Sequence, residues 1–144
     1  MLVMTEEILR QIQEQAEAAY PDECCGALIG SFASGREREA RLILPIDNAR
    51  ESGERYHRFV ITPEDFIRAE RAARAKGLDV IGFYHSHPDH PAVPSDYDRE
   101  YALPVYSYVI TAAAKGKAGA SASWLLRADR SAFEAEEIRT CSHR

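Results

Sequence analysis

Asp79-Val80-Ile81-Gly82-Phe83-Tyr84-His85-Ser86-His87-Pro88 carries an apolar run into a pair of imidazoles two residues apart. The run lies between Gly77 and a Pro-rich segment, and it predicts a buried strand over Leu78–His87. Residues i and i+2 of a strand point to one face, so His85 and His87 can converge on one point. After them comes Asp89-His90-Pro91-Ala92-Val93-Pro94-Ser95-Asp96-Tyr97-Asp98, a loop that can fold back and return the Asp98 carboxylate to that point. Two His and one carboxylate make a three-ligand zinc site whose fourth tetrahedral position stays open, the mark of a catalytic zinc. The pattern points to a metal-dependent hydrolase. Asp89, His90 and Asp96 are competing donors; His90 fits the period-two pattern poorly and reads as a rim residue.

Elsewhere the periodicities predict a helix over Thr5–Tyr20, with Thr5 as N-cap, Ile8, Ile12 and Ala16 as its apolar stripe, and Pro21 as its stop. Cys24–Ile29 reads as a buried strand closed by Gly30, and Glu39–Ile46 as its partner. Asp47–Arg58 is polar and reads as a mobile loop, with Arg50, Arg55 and Arg58 as candidates for docking a partner's tail. Thr62-Pro63-Glu64-Asp65 opens a second helix that runs to about Lys76. A short helix is expected over Ser95–Ala102, and strands over Tyr106–Ala112, Ala120–Leu126 and Ala132–Ile138. The sum is an α/β fold with a mixed, mostly antiparallel sheet flanked by helices. Trp124 and the tyrosines at 84, 97, 101, 106 and 108 read as core and sheet packing.

The 144 residues are expected to form a single domain spanning 1–144. A formal net charge of −5 argues against nucleic acid as partner. No apolar stretch approaches the ~20 residues that span a membrane, and no signal peptide is visible, so the expected compartment is the cytoplasm. Cys24, Cys25 and Cys141 follow no disulfide framework and fit reduced thiols, with Cys25 as a small buried hydrophobe.

A hydrolase of this kind also needs a base that takes the water proton and hands it to the leaving amine. Glu23 is the candidate, because it lies just ahead of Cys24–Ile29 and a strand beside Leu78–His87 would carry it toward the metal. Ser95 has two readings. Ser95-Asp96-Tyr97-Asp98 resembles a capping box, and the same hydroxyl can donate to the oxyanion of a tetrahedral intermediate. The helix motif H-E-x-x-H is absent, so thermolysin-like chemistry would need a different scaffold.

Glu23, then His85-Ser86-His87, seven residues, Ser95, two residues and Asp98 together resemble the JAMM (MPN+) zinc metalloprotease signature, E…H-x-H-x7-S-x-x-D. Pro21-Asp22-Glu23-Cys24-Cys25-Gly26 and Gly82–Pro88 are similar to the small prokaryotic members. The resemblance covers nearly the whole chain. It implies a fold related to cytidine deaminases and Zn2+ held by His85, His87 and Asp98 with a water as fourth ligand. It also implies Glu23 as general acid/base and Ser95 as support for the oxyanion. Family members cleave after the C-terminal glycine of ubiquitin or ubiquitin-like proteins, and small bacterial ones resemble hydrolases that release cysteine from a sulfur-carrier protein. The short connection after Asp98 lacks the insertion of polyubiquitin-specific members, which favours a small carrier protein as substrate. The alternatives are a zinc deaminase, disfavoured because H-x-E…P-C-x-x-C is absent, and a metal-free scaffold module. Oligomeric state is not legible.

Overall fold

The computed structural model describes residues 1–47 and 61–142. In chain order the elements are β1 (Leu2–Thr5), α1 (Glu6–Ala19), β2 (Cys25–Phe32), β3 (Arg38–Ile46), α2 (Pro63–Arg74), β4 (Asp79–Pro88), α3 (Asp96–Tyr101), β5 (Ser107–Ala114), β6 (Lys117–Leu126), β7 (Phe133–Glu136) and β8 (Ile138–Cys141). The strands form one sheet in the order β7-β6-β5-β4-β2-β3-β1-β8. The pairs β1–β3, β1–β8 and β4–β5 are parallel, and the other four are antiparallel. Apart from Asp47, the polar stretch to Arg58, with its three arginines, lies outside the described residues.

Both long helices begin as their sequences dictate. The Thr5 hydroxyl accepts the Ile8 N–H at 3.1 Å, and Glu6 and Glu7 sit in the first turn of α1. In α2, Thr62 and Asp65 cap each other reciprocally and Pro63 takes the first helical position. The helices cover opposite faces of the sheet. Ile8 and Ile12 of α1 pack with Leu28, Ile81, Tyr84 and Val109, whereas Ala69 and Ala73 of α2 pack on Cys25, Ala27, Ile29 and Phe83. Each fully buried Leu or Ile in these layers contributes about 1.5–3 kcal/mol.

A bulge sets which face the histidines occupy. Against β2, Leu28 pairs with Gly82 but Ile29 pairs with Val80, so Ile81 is an extra residue in β4. Beyond that point Phe83, His85 and His87 alternate onto the α2 face, and Tyr84 and Ser86 onto the other.

One expectation is corrected, and one strand was not expected at all. Leu2–Thr5 is a strand ahead of the first helix. Its Leu2, Val3 and Met4 are at most 3% exposed, so a strand covered on both faces shows no alternation to read. The single strand expected at Ala132–Ile138 is two, β7 and β8, which break at Glu137 and lie at opposite edges of the sheet. One residue therefore carries the chain from one edge to the other, and the sheet must roll until its edges meet at that corner. Glu137 accepts the Leu2 N–H there at 2.8 Å. Beside the seam the buried Glu136 carboxylate accepts hydrogen bonds from Ser107 and Ser123, both at 2.7 Å, and faces the Arg38 guanidinium at 3.8 Å. Among the described residues no helix is long and apolar enough to cross a membrane.

Candidate metal centre

β4 ends in the site. His85 Nε2 and His87 Nε2 stand 3.2 Å apart on one face of the strand. Asp98 reaches both: its Oδ2 is 3.1 Å from His87 Nε2 and its Oδ1 is 3.3 Å from His85 Nε2. Ligand atoms around a tetrahedral zinc, each ~2.0–2.1 Å from it, stand about 3.3 Å apart. The two imidazole nitrogens, and the Asp98 oxygen that faces each of them, lie at distances close to that spacing.

Their hydrogen bonding makes the same point. His87 Nδ1 lies 2.9 Å from the Pro91 carbonyl, an acceptor, which assigns the ring proton to Nδ1. In the neutral ring Nε2 is then a bare lone pair, yet it faces the Asp98 carboxylate, another acceptor. Two acceptors at this distance need a proton or a metal cation between them. Without a metal the proton is favoured. Burial works against a charged His87, but the hydrogen bonds to Asp98 and Pro91 and the charges of Asp98 and Glu23 outweigh it and raise its pKa. Asp98 is held well below the carboxylate range: burial opposes ionisation, and the charge of His85 with hydrogen bonds from both histidines and the Ser95 N–H overcomes it.

Asp98 is positioned by a capping box. The Ser95 hydroxyl accepts the Asp98 N–H at 3.0 Å, and Asp98 Oδ2 accepts the Ser95 N–H at 2.9 Å. One carboxylate thus caps α3 and faces the imidazoles, so the spacing S-x-x-D is a helix-start geometry as well as a site geometry. Ser95 itself is exposed, and its hydroxyl proton is not used in the cap.

Glu23 arrives by strand register. Cys25 of β2 pairs with His85, and one step further Ser86 accepts the Cys24 N–H on its hydroxyl at 2.8 Å and donates its own N–H to the Cys24 carbonyl at 3.2 Å. The next step places Glu23 opposite His87. A Glu23 carboxylate oxygen and one nitrogen of each histidine lie within 4.8 Å of one another, which makes Glu23 a further possible donor. Glu23 is 5% exposed, and burial, opposed by the charge of His87 and reinforced by Asp98, pushes its carboxyl up to about 8.

The competing donors point elsewhere. Asp89 accepts from Tyr20 and from the Lys115 N–H, Asp96 is fully exposed, and His90 is exposed at the rim. Sequence reasoning missed several supports. Trp124, read as packing, donates its indole N–H to the Ala92 carbonyl at 3.1 Å and holds the Pro-rich loop. Its lone donor needed an acceptor, and that was the only available signal. Ser86 lay in plain view between the histidines, but its partner depends on register. The three cysteines are free, and Cys25 is buried.

Residues 5–127 match the family described as prokaryotic homologs of the JAB domain. A desampylase of Haloferax volcanii is 36% identical over 107 residues, which cover 72% of this chain and 71% of that protein. The Thermus thermophilus "Probable TtuB-protein conjugate cleaving protease" is 31% identical over 101 residues, 70% of this chain and 66% of that one. Among solved structures, a protein of Desulfitobacterium hafniense superposes with a TM-score of 0.86 at 29% identity, covering 99% of this chain and 94% of its own.

Proposed function

The chain belongs to the prokaryotic JAB-domain (JAMM/MPN) family, and from that premise we propose that it is a zinc-dependent isopeptidase cleaving after the C-terminal glycine of a ubiquitin-like or sulfur-carrier protein. The observation that carries this reading is the convergence of His85, His87 and Asp98 within 3.3 Å of one another beside the buried Glu23. The names of the two relatives, a desampylase and a protease of TtuB–protein conjugates, support a protein conjugate as the substrate class.

His85, His87 and Asp98 would hold the zinc. Bound there, zinc supplies Lewis acidity, which brings the pKa of water near 7 and polarises the scissile carbonyl. Burial raises the Glu23 carboxyl, and the charge of a bound metal would favour its ionised form, so that Glu23 would accept a proton from the attacking water and return it to the leaving amine nitrogen. Ser95 keeps its oxygen lone pair on the Asp98 N–H and turns its hydroxyl proton to the carbonyl oxygen as charge develops there. We read residues 1–144 as one domain, acting in the cytoplasm, where free thiols stay reduced.

The test combines elemental analysis with cleavage of a Gly-tailed ubiquitin-like conjugate. Wild type and Glu23→Gln should each carry about one zinc per chain, and only wild type should cleave. His87→Ala should lose the metal. A wild type that takes up no zinc after reconstitution would leave the metal-free scaffold reading in its place.

A further inference from the structure

Arg130 sits in the turn between β6 and β7 with φ 64, the left-handed region that L-residues avoid and glycine enters freely. The turn itself gains nothing from a side chain there. Its closure is backbone work: the Arg130 N–H donates to Arg127 at 2.8 Å and the Arg127 N–H to Ala132 at 2.9 Å. A strained non-glycine residue in such a turn suggests that its side chain is needed elsewhere.

That side chain reaches α3. Arg130 Nη1 donates to the Ala102 carbonyl at 2.7 Å, and Nη2 to Glu100 at 3.0 Å and Arg99 at 3.2 Å. These carbonyls close α3, where an α-helix has no partners of its own to offer. Arg99 answers from the helix, donating to the Ser131 carbonyl at 3.0 Å. The clamp is crossed, arginine to backbone in both directions. α3 has six residues and buries none of them, so apolar packing does little to hold it. Its first turn nevertheless carries Ser95 and Asp98, the carboxylate that faces both histidines.

We propose that Arg130 is a positioning residue for the metal centre, docking α3 on the β6–β7 turn so that Asp98 meets His85 and His87. The proposal rests on the reading of Asp98 as a ligand. Asp98 is fixed at one end by its capping box and at the other by the clamp, and the clamp joins it to a strand hairpin that contributes no residue to the site. Loss of an outer support of this kind typically weakens metal affinity 10–100-fold.

Zinc affinity, measured by competition with a chromophoric chelator, separates this from a general structural role when it is read beside the melting temperature of the metal-free protein. Arg130→Gly removes the half of the clamp that Arg130 supplies and relieves the backbone. It should bind zinc about 10–100-fold more weakly while its metal-free melting temperature holds or rises. Arg130→Lys keeps the charge but not the planar fork that reaches three carbonyls, and it too should bind zinc more weakly. Wild-type affinity in both variants, or a loss of affinity matched by a fall in metal-free stability in both, overturns the proposal. If Arg130→Gly does not fold, the affinity of Arg130→Lys decides. Failure of wild type itself to bind zinc would instead sink the functional reading on which the clamp depends.

Discussion

Ser95 shows how one residue can serve two ends. Its oxygen accepts the Asp98 N–H while its proton stays available, so capping and oxyanion support do not exclude each other. Ser95→Ala should therefore show two separable losses. Removing the cap costs about 1 kcal/mol of stability, and removing an oxyanion donor lowers turnover roughly 10²–10³-fold. Steady-state kinetics on protein matched for zinc content reads the second loss apart from the first. Unchanged turnover would reduce Ser95 to a cap. Glu23 poses the complementary question, because Gln is nearly isosteric but cannot carry a proton. Its substitution tests transfer without disturbing the register that brings position 23 to His87.

Between elements the critical joint is the β2–β4 register. Ser86 is fully buried and extends the ladder past the last paired residues, holding Cys24 by both N–H and carbonyl. Ser86→Ala strands the Cys24 N–H and should cost about 1–3 kcal/mol, read as a shift in the urea midpoint. An unshifted midpoint would mean that the strand pairing alone sets Glu23. Gly26 adds to the same joint: a Cβ there would come 2.2 Å from the Tyr84 hydroxyl, which donates to Gln15 of α1 at 2.6 Å. The strand period alone put His85 and His87 on one face, and the capping signals at Thr5, Thr62 and Ser95 marked three helix starts at their observed positions. Those features are local, so they were legible. The return of Asp98 needs its loop to fold back, and Glu23 needs a register with a distant strand. The signature spacing pointed to both, but strand and helix periods alone do not encode them. Nothing in the sequence pointed to the reach of Arg130. β1 and β8 escaped for another reason: one runs through three successive apolar residues with no alternation, and the other is separated from β7 by a single residue that looks like more strand.

For the molecule as a whole, two distant ends of β4 carry two different polar clusters. His87 lies near its end, while Arg38 donates to the Ile81 carbonyl near its start, about 20 Å away at the rise of an extended chain. Glu136→Leu would leave Arg38, Ser107 and Ser123 facing an apolar side chain and should cost about 3–5 kcal/mol by chemical denaturation. Zinc stoichiometry of the folded fraction should not change. A coupled loss of zinc would show that the two ends of the strand do not act independently.

The single-residue passage at Glu137 has a consequence for how the chain is made. Of the described elements β1 leaves the ribosome first, and the strand that pairs with its second edge, Ile138–Cys141, leaves last. At about 5–20 residues per second, translation separates the two by on the order of ten seconds. Until then the β1 edge that β8 covers lacks its partner strand, while Leu2 and Val3 pair with Arg38 and Glu39 of β3 along the other edge. The nascent chain must keep that edge from other partners while the donors of the metal centre are synthesised and brought together. The last of the described strands to emerge is the latch that shuts the sheet.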